Sequence, residues 1–278
     1  QVANWPEKQL VPPAALQRGR RPPAPPVGRP DVPDCQAMQT NRRLLSSIKV
    51  CASDLDGTLL DPDHAPGPGT FEAIAKFQAT GGIFAVCTGR DKGSARGILK
   101  GLDIDRMPGV YMNGTIVQGL DGELLQAAVV PQEVCEAVTE WGRENRHLSS
   151  VLFVVGDDHF VMDRSEEWAT YMHRHLLDPD PLQVEGGWEA LAPAIPTGVN
   201  LMRVLCDPKN MDAVRPMVEA LVKGRAACAQ SLPTTIDIMA PNTNKATGLR
   251  VLLEKLGQSF GVTAAIGDSE NDLEMLQS

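Results

Sequence analysis

The sequence predicts an α/β protein, a parallel sheet wound with helices and interrupted by a second α/β unit. Three observations lead there. From Ile48 onward, short apolar runs alternate with stretches of helical period. After Ile116 a hairpin signal breaks that alternation, and from Thr247 the strand and helix rhythm returns.

The first strand is read at Ile48–Ala52 and runs into Asp54; a Gly/Pro-rich loop, Pro62 to Gly69, follows it. Thr70 is placed as the cap of a helix in which Phe71, Ile74, Ala75 and Gln78 share a face, and Gly81-Gly82 ends it. A second strand spans Ile83–Thr88, a helix Ser94–Leu102 and a third strand Val110–Met112. Asp121-Gly122 between Ile116-Val117 and Leu124-Leu125 marks a hairpin instead of a crossover.

Near Pro131 a second unit begins. Helical faces recur at Val134, Val138, Trp141, again at Trp168, Tyr171, Met172, His175, and again at Met211, Val214, Val218, Leu221. Asp207-Pro208 opens the last of these as a cap followed by proline at the first helical position. Strands are read at 151–155, 160–162, 199–205 and 236–239, with a tendency to antiparallel pairing. The wound pattern then closes with a helix at 247–256, a strand at 262–266 and a helix across 273–276.

Composition bounds the function. Of 278 residues, 42% are hydrophobic and 22% charged, and no apolar run nears the roughly 18 residues of a membrane span, so a membrane protein is not expected. The net charge of −9 is uneven: residues 1–47 carry seven Lys/Arg against three Asp/Glu, the remainder 19 against 32. An acidic body argues against a nucleic-acid partner. Nine of the 22 prolines lie in 1–47 beside Arg18, Arg20, Arg21, Arg29, Arg42 and Arg43, so this stretch is read as disordered. The six cysteines are scattered without a CxxC pair, as in reduced intracellular thiols. The expected compartment is cytoplasmic; a plastid or mitochondrion is the alternative if the basic N-terminal stretch is a transit segment.

Four places carry chemistry. Asp54-Leu55-Asp56-Gly57-Thr58 follows a buried strand, and the carboxyl end of such a strand is where open α/β sheets bind ligands. Asp54 can attack phosphorus, and Asp56 can protonate the leaving oxygen and then accept a proton from water. An EF-hand loop would need Gly and Glu where Leu59 and Ala65 stand. Thr88-Gly89-Arg90 ends the second strand with a hydroxyl and backbone N–H suited to a phosphate oxygen, although alone it is also an ordinary turn. Lys245, before a helix, can add a point charge; alone it is also an ordinary surface lysine. Gly267-Asp268-Ser269-Glu270-Asn271-Asp272 follows the last strand. Asp268 facing Asp54 would need a hard cation such as magnesium between them, while an acidic helix N-terminus is the plainer reading. His173 and His175, two apart on a helix, diverge and are not read as a metal pair.

With DLDGTLL at 54–60, TGR at 88–90, Asn113-Gly114, Lys245 before a helix and GDSENDLEML at 267–276, residues 48–278 resemble the haloacid dehalogenase-like hydrolase superfamily, and within it the Cof-type subfamily. The resemblance implies a Rossmann-like core over 48–130 and 236–278 with an α/β cap inserted at 131–235. It implies a magnesium-dependent phosphatase of small phosphate esters, with Asp54 as nucleophile and Asp56 as acid/base. Asp54, Asp56 (through its carbonyl), Asp268 and Asp272 would serve the metal, and Thr88, Gly89, Lys245 and Asn271 the phosphate or substrate. Phosphosugar mutases of this superfamily share the aspartyl-phosphate, so transfer to another hydroxyl is the alternative reaction. Family members continue past the fourth motif, so the core is expected to be truncated at its C-terminal end. That opens a third reading, a phosphate-ligand module with impaired catalysis.

Overall fold

The computed structural model describes residues 47–278; the disordered segment expected over 1–47 lies outside the described residues except for Ser47, and the transit reading with it. Among the described residues the chain forms two six-stranded sheets.

The first contains β1 (Val50–Ser53), α1 (Thr70–Ala79), β2 (Ile83–Cys87), α2 (Lys92–Ile98), β3 (Gly109–Tyr111), β4 (Ile116–Gln118) and β5 (Leu124–Ala127). The chain then leaves for α3 (Gln132–Glu144), β6 (Ser149–Val155), β7 (Asp158–Val161), α4 (Tyr171–Leu176), β8 (Leu182–Gln183), α5 (Trp188–Leu191), β9 (Leu201–Cys206), α6 (Met211–Val222), β10 (Ala227–Leu232) and β11 (Thr235–Met239). It returns with α7 (Lys245–Lys255), β12 (Thr263–Ile266) and α8 (Leu273–Leu276).

In the first sheet the order is β12-β1-β2-β3-β4-β5. Its β12, β1, β2 and β3 run parallel, and the expected hairpin adds β4 and β5 antiparallel. Strand alternation sorts the side chains: Val50, Ala52, Ala85 and Cys87 pack under Leu249, Leu252 and Leu253 of α7. Phe84 and Val86 point the other way, onto Ile74, Ala95 and Leu99. Both faces of a parallel sheet are thus covered, which is why its strands read as unbroken apolar runs. At the β12 edge, Ala264 and Ile266 line an apolar groove with Cys51, Phe77 and Phe84.

The second sheet runs β10-β11-β9-β6-β7-β8 and is antiparallel apart from β7 with β8. On one face Val151, Phe153, Met202, Val204, Ile236 and Ile238 meet the helices, through Val134 and Val138 of α3 and Val214 and Val218 of α6. On the other, Leu152, Val154, Leu201 and Leu205 pack with Met172 and Leu176 of α4 and with Met112. Arg203 and Asp237 occupy this second face as a cross-strand pair, and both are buried.

Three readings shift. Since β11 belongs to the second sheet, the chain re-enters the first sheet after Met239 and not at residue 236. Thr70 is the first residue of its helix, which Gly69 precedes without a side-chain cap. The helix expected from Thr247 starts at Lys245, because Asn244 and Thr247 form a reciprocal capping box two residues earlier. β8 and β10 were not predicted: β8 has two residues, and the polar run of β10 lacks a clean alternation.

Residues Met112, Asn113 and Gly114 all take positive φ, at 49°, 54° and 97°. A Cβ on Gly114 would come within 2.1 Å of the Asn244 carbonyl oxygen. Gly114→Ala is therefore expected to cost about 2 kcal/mol or more, through both left-handed strain and overpacking. A lowered urea midpoint would register it; an unchanged midpoint would contradict this account of the turn.

Candidate active site

Parallel pairing of β1 with β12 sets Ser53 beside Ile266. The following residues, Asp54 and the Gly267–Asp272 loop, therefore emerge side by side at the carboxyl end of the sheet, tied by Asp54 N–H to the Ile266 carbonyl at 2.9 Å. Gly57 makes the turn away with φ 79°, and a Cβ there would stand 2.3 Å from Asp268 Oδ2. The two acidic motifs touch at that point, where Thr58 Oγ1 also donates to Asp268 Oδ1 at 3.1 Å.

Lys245 is fully buried, as the first residue of α7. Its ammonium donates to Asp54 Oδ1 at 2.6 Å and to Asp272 Oδ1 at 2.7 Å. Asp272 Oδ2 accepts from the backbone N–H groups of Asp268 and Ser269, each at 3.2 Å. Carboxylate oxygens of Asp54, Asp268 and Asp272 lie within 4.8 Å of one another. Three carboxylates against one ammonium leave negative charge in excess, and an all-oxygen donor set of this kind suits a hard divalent cation. Asp272 has both oxygens engaged by protein donors, so it fits a supporting role, with Asp54 and Asp268 the more open groups.

Burial pushes the Asp54 carboxyl up to about 6; the Lys245 ammonium pulls it back, and the neighbouring Asp272 charge adds to the rise. The same burial works against the Lys245 ammonium, but Asp54 and Asp272 more than offset it and hold its pKa above the usual lysine range.

Asp56 turns elsewhere and is not in the carboxylate cluster. Its two oxygens accept from Arg90 Nε and Nη2, both at 2.7 Å, and Oδ1 also meets His64 Nδ1 at 3.0 Å. Burial disfavours this carboxylate, yet the Arg90 bonds outweigh it and hold the pKa below the usual range. A metal contact by Asp56 would thus fall to its backbone carbonyl and not to its side chain.

A narrow crevice lies beside these groups. Asp54, Asp56, Gly89, Arg90, Ser269 and Asn271 line it from the first sheet, and Met172, Leu176, Arg203, Ser231 and Leu232 from the inserted unit. Of the expected phosphate-holding residues, Gly89 and Asn271 face the crevice. Lys245 stands behind Asp54, and Thr88 is fully buried, its hydroxyl accepting from the Arg90 N–H at 3.1 Å.

Sequence reasoning missed the ionic network above the site. Arg90 reaches the Leu176 carbonyl at 2.5 Å and Asp178 at 2.9 Å. Arg203 donates to Asp237, to Asp178 and, at 2.6 Å, to the Gly89 carbonyl. His159 of β7 meets Asp91 at 3.1 Å, with both side chains fully buried. One signal was available: Arg203 in LMRVLC and Asp237 in TIDIM are lone charges within otherwise apolar strands. His173 and His175 are both exposed, and His173 Nδ1 meets the Asp178 carbonyl at 2.9 Å. Among the described residues no helix is long and apolar enough to cross a membrane.

A family model described as haloacid dehalogenase-like hydrolase matches residues 51–278. The HMP-PP phosphatase of Shigella boydii is 27% identical over 231 residues, covering 83% of this chain and 85% of that protein. Similarity to the chloroplastic endoribonuclease YBEY of Arabidopsis thaliana, 26% over 232 residues, takes in 81% of this chain but only 39% of that protein. In fold, the chain resembles a HAD/COF-like hydrolase structure from Plasmodium vivax, with TM-score 0.72 and 22% identity over 83% of this chain and 81% of the other.

The raised Asp54 carboxyl has a consequence for stability. A group whose folded pKa lies above its unfolded value favours the fold when protonated, and that contribution is lost as pH rises through about 6. Asp54→Asn, which keeps an acceptor for Lys245, is expected to make the metal-free protein more stable than wild type at pH 8, by about 1–3 kcal/mol. The gain should shrink as pH falls from 6 to 4. Thermal unfolding with a chelator present measures it, and a variant less stable at pH 8 would contradict the assignment.

Proposed function

This chain belongs to the haloacid dehalogenase-like hydrolase family, and on that premise we propose that it is a magnesium-dependent phosphatase of small phosphomonoesters working through an aspartyl-phosphate on Asp54. The observation that carries this reading is the convergence of Asp54, Asp268 and Asp272 on one point beside Lys245, at the mouth of a crevice closed by the inserted α/β cap. The HMP-PP phosphatase relative supports phosphatase chemistry in general.

Asp54 and Asp268 would hold the cation, with the Asp56 carbonyl beside them and Asp272 bracing the shell. When bound, magnesium supplies positive charge against the phosphoryl oxygens. Asp54 attacks phosphorus, its carboxylate oxygen forming the new P–O bond as the ester P–O bond breaks. Asp56 in its acid form delivers a proton to the departing oxygen. Water then attacks the aspartyl-phosphate, Asp56 takes up the water's proton, and phosphate leaves with Asp54 restored.

Lys245 keeps its proton between Asp54 and Asp272, so Asp54 faces the phosphate with one oxygen already held. Arg90 and His64 hold Asp56 as a carboxylate, the form that acts as base. Its acid form requires the guanidinium to release it, and Arg90 is anchored on the cap side at Leu176 and Asp178. Arg90 thus links the cap side directly to the carboxylate that exchanges the proton. The cap wall, with Met172, Leu176 and Leu232, excludes water from the leaving group.

Asp54→Asn is expected to lower phosphate release from a panel of phosphate esters with magnesium by roughly a thousandfold or more, with an unchanged circular dichroism spectrum. Chelation of magnesium should give the same loss in the wild type, reversed on adding the metal back. Turnover retained by Asp54→Asn would overturn the nucleophile and with it the mechanism.

A further inference from the structure

Both guanidiniums that line the crevice are already engaged on every nitrogen. Arg90 gives Nε and Nη2 to Asp56, each at 2.7 Å, and Nη1 to the Leu176 carbonyl and to Asp178. Arg203 gives Nε to Asp237 at 3.0 Å, Nη1 to Asp178 at 3.1 Å and Nη2 to the Gly89 carbonyl at 2.6 Å. Asp178 and Asp237 are buried, so drawing either guanidinium toward a ligand would strand a carboxylate away from water. Among the described residues no other lysine or arginine lines the crevice.

The inserted unit presents an apolar wall instead. Met172 and Leu176 of α4 pack with Leu232 of β10, and together with Ser231 they line the crevice. The pairing of β10 with β11 shifts register between Gln230 and Leu232, which leaves Ser231 at an irregularity of the ladder. Such a break re-aims side chains and accounts for two consecutive residues facing one crevice. Across from them stand the carboxylates of Asp54 and Asp56. The phosphoryl group of an ester would meet the cation held by Asp54 and Asp268, but a second anion on its alcohol part would meet only apolar side chains and carboxylates. Removing that anion from water without a partner is unfavourable, and the like charges add to the cost.

We propose that the crevice selects phosphate esters of neutral alcohols with an apolar stem and rejects those that carry a second anionic group close to the ester. This rests on the phosphatase reading and narrows it to a substrate class. Ser231 is the position from which the selection can be reset, because its side chain borders the crevice between the apolar wall and the engaged guanidiniums.

Propyl phosphate and 3-phosphooxypropanoate test it, since they differ only in a terminal methyl against a carboxylate. With magnesium, kcat/KM should favour propyl phosphate by roughly tenfold to a hundredfold. Ser231→Lys adds an ammonium to the wall and should lower that ratio by about tenfold, whereas Ser231→Gln, which adds reach without charge, should keep the ratio of wild type. Calorimetry with wild type and magnesium supplies a readout without turnover: butylphosphonate, the non-hydrolysable counterpart of the first ester, should bind more tightly than 4-phosphonobutanoate, the counterpart of the second.

Equal turnover and equal binding of the neutral and anionic members would overturn the substrate class. A preference that Ser231→Lys leaves untouched, or that Ser231→Gln removes equally, would overturn its electrostatic origin. Should wild type hydrolyse neither ester, the phosphatase reading fails; the phosphonate pair still decides whether the crevice rejects a second anion, and binding of neither phosphonate would overturn that as well.

Discussion

The Lys245 ammonium is the constraint around which the carboxyl end of the first sheet is arranged. An unpaired charge in its fully buried position would be strongly unfavourable. α7 can therefore begin there only if carboxylates from other elements meet its first residue, and Asp54 after β1 and Asp272 after β12 do so. Three distant stretches are brought to one point by a single side chain. The solution is lopsided, because Asp268 joins the same point and the carboxylates outnumber the ammonium. Burial and the Asp272 charge show in the raised Asp54 carboxyl, which makes this corner one where the fold gives up stability to hold like charges together.

Above that corner the inserted unit grips the loop after β2 almost residue by residue. Arg203 holds the Gly89 carbonyl, Asp178 holds Arg90, His159 holds Asp91, and Asp157 accepts from the Gly93 N–H at 2.9 Å. In Asp91, burial opposes ionisation, but the His159 and Ser94 bonds prevail and bring the carboxyl down to about 2. Since Arg90 also spans to Asp56, one guanidinium ties the inserted unit to the Asp56 carboxylate.

The first sheet was legible because its period is simple: buried parallel strands such as Ile83–Cys87 read as apolar runs, and glycines punctuate the ends. The site was legible in part for the same reason, since its acidic motifs follow those strands directly. Lys245 could be placed near the site, but its burial depends on a capping box that starts α7 two residues before the helical period is evident. Asp178, His159 and Arg90 acquire their roles only through contacts across the two units, and no local period encodes those. Arg203 and Asp237 lie between these cases: alternation places them on one face of the second sheet, but their cross-strand pairing depends on register.

The pairing of β1 with β12 also bears on the order in which the molecule can be made. Asp54 and Lys245 are 191 residues apart in the chain, and the whole inserted unit is synthesised between them. A nascent chain carrying β1 through β11 can fold its second sheet early, from hairpins close in sequence, while the first sheet still lacks its last parallel partner. The acidic corner closes only after Asp272 has left the ribosome, so it assembles later than the second sheet can. Until then one edge of β1 lacks its β12 partner.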